Sequence, residues 1–139
     1  MKTFSTNYHN CFIEIAEDCP VGRGEIPPVK KAGKTIAAIQ YDMLSNNPYV
    51  FTSDDVLFQC YIDKNEIQEK NPVKLREQFF SKGQPCFRAS PLTKQYGWGI
   101  HYNAEGKMAL YGCETKEYKT FLKDKALKQL RAMRSKKMD

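Results

Sequence analysis

Trp98-Gly99-Ile100-His101-Tyr102-Asn103-Ala104-Glu105-Gly106-Lys107-Met108-Ala109-Leu110-Tyr111-Gly112 decides the fold. Asn103 to Lys107 suits a three-residue hairpin loop, a type I turn closed by a left-handed Gly106. Pairing Asn103 with Lys107 sets Tyr102 opposite Met108 and Ile100 opposite Leu110. All four are apolar, so turn chemistry and binary pattern specify the same register. His101 then lies beside Ala109 on the other face. Tyr111 falls across Gly99, where an aromatic ring is expected to cover the glycine.

Working upstream, Pro85–Ser90 alternates as a further strand, with Phe87 and Ala89 on one face and Cys86, Arg88 and Ser90 on the other. Residues 10–17 alternate too, Cys11, Ile13 and Ile15 against Phe12, Glu14 and Ala16. Residues 18–33 hold Pro20, Gly22, Gly24, Pro27, Pro28 and Gly33, a density that predicts a long loop. Lys34 to Asn46 reads as a helix with Ile36, Ile39, Met43 and Leu44 on one side, ended by Asn46-Asn47-Pro48. Thr52-Ser53-Asp54-Asp55 is an N-cap followed by first-turn acids. The β-forming run 56–62 is therefore read as helix. Asn71-Pro72 supplies N-cap and N1 of a helix through Phe80.

Downstream, Thr115 opens a helix with Tyr118, Phe121 and Leu122 on one face and a break at Lys123-Asp124. A second helix would line up Leu127, Leu130 and Met133, leaving Lys125, Lys128, Arg131, Lys136 and Lys137 in solvent. The expected architecture is a single α+β domain, residues 1–139. It has a small antiparallel β-sheet, helices packed on one face and a basic helical C-terminus.

With 41% hydrophobic residues and 12% aromatics the chain has the composition of a globular domain, not a disordered one. Its five cysteines, Cys11, Cys19, Cys60, Cys86 and Cys113, are odd in number and form no C-x-x-C pair. With no secretory pattern at the N-terminus, reduced thiols in a cytoplasm are expected. No apolar run is long enough to span a membrane. The net charge of +6 is uneven: residues 1–70 hold 7 Lys/Arg against 10 Asp/Glu, and residues 71–139 hold 15 against 6. A basic half attracts polyanions, and it is also a common solubility device.

If the 85–90 strand joins the hairpin, Cys86, Arg88, Ser90, His101, Lys107 and Tyr111 share one face, with Lys94 and Tyr96 in the adjoining loop. A guanidinium, an ammonium, hydroxyls and an imidazole suit a small anionic ligand such as a carboxylate or phosphate. The alternative is a half-solvated sheet whose polar side these residues form. Cys86 with His101 would make a thiol–base pair, and free cysteine is more often a small buried residue. A nucleic-acid accessory role would use the basic C-terminal helix with Tyr96, Trp98 and Tyr102 nearby. No cofactor is expected and no metal, since His9 and His101 are far apart and no cysteines have finger-like spacing.

The chain resembles a family of small uncharacterised bacterial proteins, a domain of unknown function. The resemblance rests on Asn10-Cys11-Phe12-Ile13-Glu14-Ile15-Ala16-Glu17-Asp18-Cys19-Pro20, Thr52-Ser53-Asp54-Asp55-Val56-Leu57-Phe58, Arg88-Ala89-Ser90-Pro91-Leu92 with Tyr96-Gly97-Trp98-Gly99, and Ala132-Met133-Arg134-Ser135-Lys136. It implies a bacterial cytoplasmic protein and carries no activity, cofactor or catalytic residue. The leading functional expectation is a non-catalytic protein binding a small anion through Arg88, Ser90, Lys94, Tyr96, His101 and Tyr111. Its rivals are a small enzyme using Cys86 or His101, and the nucleic-acid role.

Overall fold

The hairpin forms in the expected register: β2 (Trp98–Tyr102) pairs antiparallel with β3 (Met108–Gly112), Tyr102 opposite Met108, Ile100 opposite Leu110 and His101 opposite Ala109. Gly106 sits at φ +80, and Asn103 donates its N–H to Lys107 O at 3.0 Å. This computed structural model describes residues 2–30, 33–68 and 70–136.

β1 (Cys11–Glu14) pairs antiparallel with β2 and parallel with β4 (Lys128–Arg131), giving the order β3-β2-β1-β4. The sheet is therefore mixed rather than wholly antiparallel. β4 also replaces the expected second C-terminal helix. The chain does break at Lys123, and Asp124 Oδ1 accepts from Ala126 N at 2.9 Å to close a turn. Beyond it Leu130 and Ala132 alternate into the core while Lys128, Gln129 and Arg131 stay exposed. The open edge of β1 decided the matter, since tertiary pairing overrides a weak helical period. Lys137 lies outside the described residues.

The α+β class holds, and the helices start where their caps are. α1 (Ile36–Asn46) is capped by Thr35, which accepts from Ala38 N. α2 (Ser53–Lys64) begins in a capping box, Thr52 Oγ1 taking Asp55 N–H and Asp55 Oδ2 taking Thr52 N–H. That box settles the ambiguous run 56–62 as helix. α3 (Pro72–Phe80) starts at Asn71-Pro72.

The expected strand 85–90 is instead a 3-10 turn at Phe87–Ala89 running into the short α4 (Pro91–Lys94). Ser90 is the N-cap, its Oγ accepting from Leu92 N, and Pro91 occupies N1. Ser-Pro at that point is a helix start, which outweighs five residues of alternation.

Two layers cover the sheet, not one. Cys11, Ile13, Ile100 and Tyr102 share a buried cluster with Ala37, Leu44, Val56, Phe87 and Leu92 of the helices and turn. On the opposite face α5 (Lys116–Leu122) lays Tyr118 and Phe121 on Phe12. β1 is consequently buried on both sides, Cys11, Phe12 and Ile13 all being fully covered. Gly99 is needed for that second layer, because a Cβ there would stand 2.5 Å from Tyr118 Cε2 and 2.7 Å from Phe12 Cζ. Tyr118 and Phe12 are the nearest rings to this glycine, and Tyr111 lies across from it in the register.

Candidate functional site

The residues expected on one polar face are dispersed. His101 is under α5: its ring stacks on Phe121 at 4.3 Å, and Nδ1 lies 2.8 Å from Tyr49 Oη. Tyr49 Oη is 2.7 Å from Tyr111 Oη. Tyr111 donating to Tyr49, and Tyr49 to a neutral imidazole, satisfies all three groups. Burial holds the His101 pKa below its usual value, with Asp124 pulling weakly the other way.

Arg88 lies at the outer edge of β4, away from that face. Its Nε donates to Arg131 O at 2.7 Å, and its own carbonyl accepts from Met133 N at 2.7 Å. A cationic side chain thereby covers part of an edge strand. Lys107 Nζ donates to Val50 O at 3.2 Å. Lys94 ends α4, and Tyr96 O accepts Glu25 N–H at 2.8 Å, fastening the 18–33 loop. Cys86 and His101 belong to opposite sides of the sheet, so no thiol–imidazole pair forms.

The structure does bring together Cys86 and Ser90, in a groove between α1, α2, α3 and the 84–91 segment. Its volume is about 380 Å³, at the small end of the roughly 300–1,000 Å³ of ligand pockets. Leu57, Tyr61, Phe79, Phe87, Pro85 and Pro91 make most of its wall, with Ile36 at one side. Phe79 is held against α2 by stacking on Tyr61 at 4.6 Å. Gln84 Nε2 donates to Phe79 O at 2.9 Å, tying α3 to the segment that follows it.

One polar side chain reaches into this wall from below. Gln40 is 3% exposed and lines the groove. Its Oε1 accepts from Ser90 Oγ at 2.6 Å. No hydrogen bond from its Nε2 to a protein acceptor is found among the described residues, and the atom is not enclosed, so its N–H groups stay open to water or to a ligand. Lys64, exposed at the mouth, reaches Lys34 O at 3.3 Å. Cys60, also in the wall, is pushed up to about 12 by burial, with Asp63 adding to the shift. Gln40 was not singled out from the sequence, although a readable sign exists: it interrupts the i, i+4 row Ile36–Gln40–Leu44.

Beside the groove, Tyr8 Oη donates to Cys86 Sγ at 3.2 Å, and the Tyr8 ring meets Tyr102 edge-on at 5.5 Å. Tyr8 is pushed up to about 12, chiefly by burial and then by Cys86. Tyr102 is fully buried and its hydroxyl has no hydrogen-bond partner among the described residues. Ser53 stands near it without hydrogen-bond geometry, its Oγ being 2.9 Å from Thr6 Oγ1.

Among the described residues no group of three His, Cys, Asp or Glu is placed to hold a metal ion, and no helix is long and apolar enough to cross a membrane. No curated protein and no solved structure matches the chain. Residues 1–138 match a family of unknown function, DUF6157. With nearly its whole length covered, the chain belongs to that family.

Proposed function

We infer that this is a bacterial, cytoplasmic, non-catalytic binding protein whose helix-side groove takes a small amphipathic anion, an apolar body ending in a carboxylate. The observation that carries the reading is the Gln40 amide, 3% exposed, whose Nε2 has no protein acceptor among the described residues, in a largely apolar wall. A ligand oxygen would replace water on this donor, a net gain of about 0.5–1.5 kcal/mol. Lys64 supplies the countercharge from the mouth on a flexible stem. Five free cysteines suit a reducing compartment.

A series of straight-chain carboxylates from butanoate to decanoate tests it by calorimetry. Each added methylene is worth about 0.8 kcal/mol, so Kd should tighten about fourfold per carbon until the groove is full. Leu57→Trp, which fills the groove from α2, should abolish the binding. No binding, or an affinity indifferent to chain length, would sink the reading.

A further inference from the structure

β4 is an outer strand of the sheet, and β1 occupies only one of its sides. In such a ladder alternate residues turn both backbone groups to the neighbour. Lys128 N donates to Asn10 O and Ala132 N to Glu14 O, each at 2.9 Å, so Lys128, Leu130 and Ala132 face β1. Leu127, Gln129, Arg131 and Met133 turn their backbone groups outward. Part of that outward row is satisfied within the chain. Leu127 N donates to Asp124 O at 3.2 Å, Arg131 O accepts from Arg88 Nε at 2.7 Å, and Met133 N donates to Arg88 O at 2.7 Å. Among the described residues no partner is found for Leu127 O, Gln129 N, Gln129 O or Arg131 N. Lys128, Gln129 and Arg131 are exposed, so this stretch of edge is open.

The order of free and taken groups is self-complementary. Set a second copy of β4 antiparallel to the first, with a two-fold axis at Gln129. Gln129 N–H then meets the partner's Gln129 O, and the reverse, while Arg131 N–H meets the partner's Leu127 O. The bond that a full ladder would add runs from the partner's Leu127 N to Arg131 O. Both of its ends are engaged at home, by Asp124 and by Arg88. An axis at Leu130 would set Gln129 N against the occupied Arg131 O. An axis at Lys128 would set Gln129 O against the occupied Leu127 N. Only the Gln129 axis joins every free group to a free group. It also puts Lys128 opposite the partner's Leu130, and Arg131, which Glu14 holds, opposite the partner's Leu127. Like charges therefore do not stand directly across from one another.

We propose that two copies of this chain join edge to edge at β4, about a two-fold axis at Gln129, making one continuous sheet of the two. The same patch serves both copies, as a two-fold contact requires. A contact of this size belongs to the weak, exchanging class.

Gln129→Cys tests the axis by disulfide trapping in the full chain. In a hydrogen-bonded antiparallel pair the Cα atoms stand about 5.5 Å apart, within the span of a disulfide. Lys128→Cys is the control, also exposed, but its two copies are diagonal neighbours at about 7–8 Å, beyond that span. Under a mild oxidant, with products identified by peptide mass mapping, the substituted position should self-link at least about tenfold faster in Gln129→Cys than in Lys128→Cys. Gln129→Pro removes only an outward N–H, which the ladder to β1 does not use, and an edge strand tolerates proline there. By sedimentation equilibrium over a dilution series it should associate about tenfold more weakly than the wild type, two inter-copy bonds being lost. Equal self-linking at the two positions overturns the proposal. So does a wild-type chain that stays monomeric throughout the series, or a folded Gln129→Pro chain that associates as well as the wild type. Should Gln129→Pro fail to fold, the trapping ratio decides alone.

Discussion

Two tyrosine-to-phenylalanine changes, Tyr102→Phe and Tyr118→Phe, should move stability in opposite directions. Both rings are buried, Tyr102 at 0% and Tyr118 at 6% exposure, and both lose only an oxygen. Their hydroxyls differ. Tyr118 Oη accepts the Ile15 N–H at 3.0 Å, so its removal leaves a part-buried backbone donor unpaired. That costs about 1–3 kcal/mol. Tyr102 Oη has no partner among the described residues, and an unpaired hydroxyl in an apolar core already costs about 1–3 kcal/mol in the native state. Deleting it recovers that cost, less about 0.2–0.4 kcal/mol for a void of roughly 10–15 Å³. Tyr102→Phe should therefore gain about 1 kcal/mol where Tyr118→Phe loses about as much or more.

Urea unfolding followed by circular dichroism reads both changes as shifts in midpoint at constant m, and for a chain of 139 residues each kcal/mol is also about 3–5 °C in Tm. Comparing two variants of the same chemistry removes the generic change in unfolded-state hydration. If Tyr102→Phe destabilises the protein as much as Tyr118→Phe, the Tyr102 hydroxyl is bonded, through Ser53 or an enclosed water, and the argument from its isolation is wrong.

His101 sets a pH dependence whose sign follows from its burial. Its native pKa lies below the ordinary 6.5, so the unfolded chain takes up a proton that the folded one refuses. Stability should be present in full above about pH 6.5 and fall as pH drops through that value towards the native pKa. Urea midpoints at about pH 7.5 and 5.5 check this, and His101→Asn should flatten the difference; an unchanged slope would assign it to another group. Gly99→Ala should cost about 1–3 kcal/mol, because its Cβ drives into Tyr118 and Phe12. Gly83→Ala meets nothing within 4 Å and should be neutral or stabilising by up to about 1 kcal/mol. Equal effects at the two glycines would refute the close packing of α5.

What could be read along the chain was whatever local chemistry over-determines. The hairpin register follows from Gly106 and the apolar pairs on either side of it, and both constraints agree residue by residue. The starts of α2 and α3 follow from Thr52 with Asp55 and from Asn71-Pro72. Where two local signals competed, the backbone-specific one prevailed. At Ser90-Pro91 a cap and a proline set a helix start against the alternation of Cys86 to Ser90. At Asp124 the sequence offers a cap for a second helix, but its carboxylate closes a turn onto Ala126 N instead, and a partner strand decided. β1 needed an edge neighbour, and residues 128–131 supplied it.

The polar face failed for a different reason, one of parity. Alternation assigns residues to two sides of a strand but does not say that only one side is dry. α5 covers the second side, so His101 and Tyr111, on the expected solvated half of the sheet, are half-buried groups that need partners. Tyr49, from a turn more than fifty residues upstream, meets that need for both. The groove is a surface between helices, and no local pattern reports how α1, α2 and α3 lean on one another. Yet its defining residue was visible in principle. A glutamine buried one turn before Leu44 on α1 must place an oxygen and two N–H groups somewhere. Ser90 takes the oxygen. The donors that remain, in a wall shared with Leu57, Tyr61 and Phe79, offer a ligand oxygen a partner, whereas Arg88 Nε and His101 Nδ1 are already engaged by Arg131 O and Tyr49.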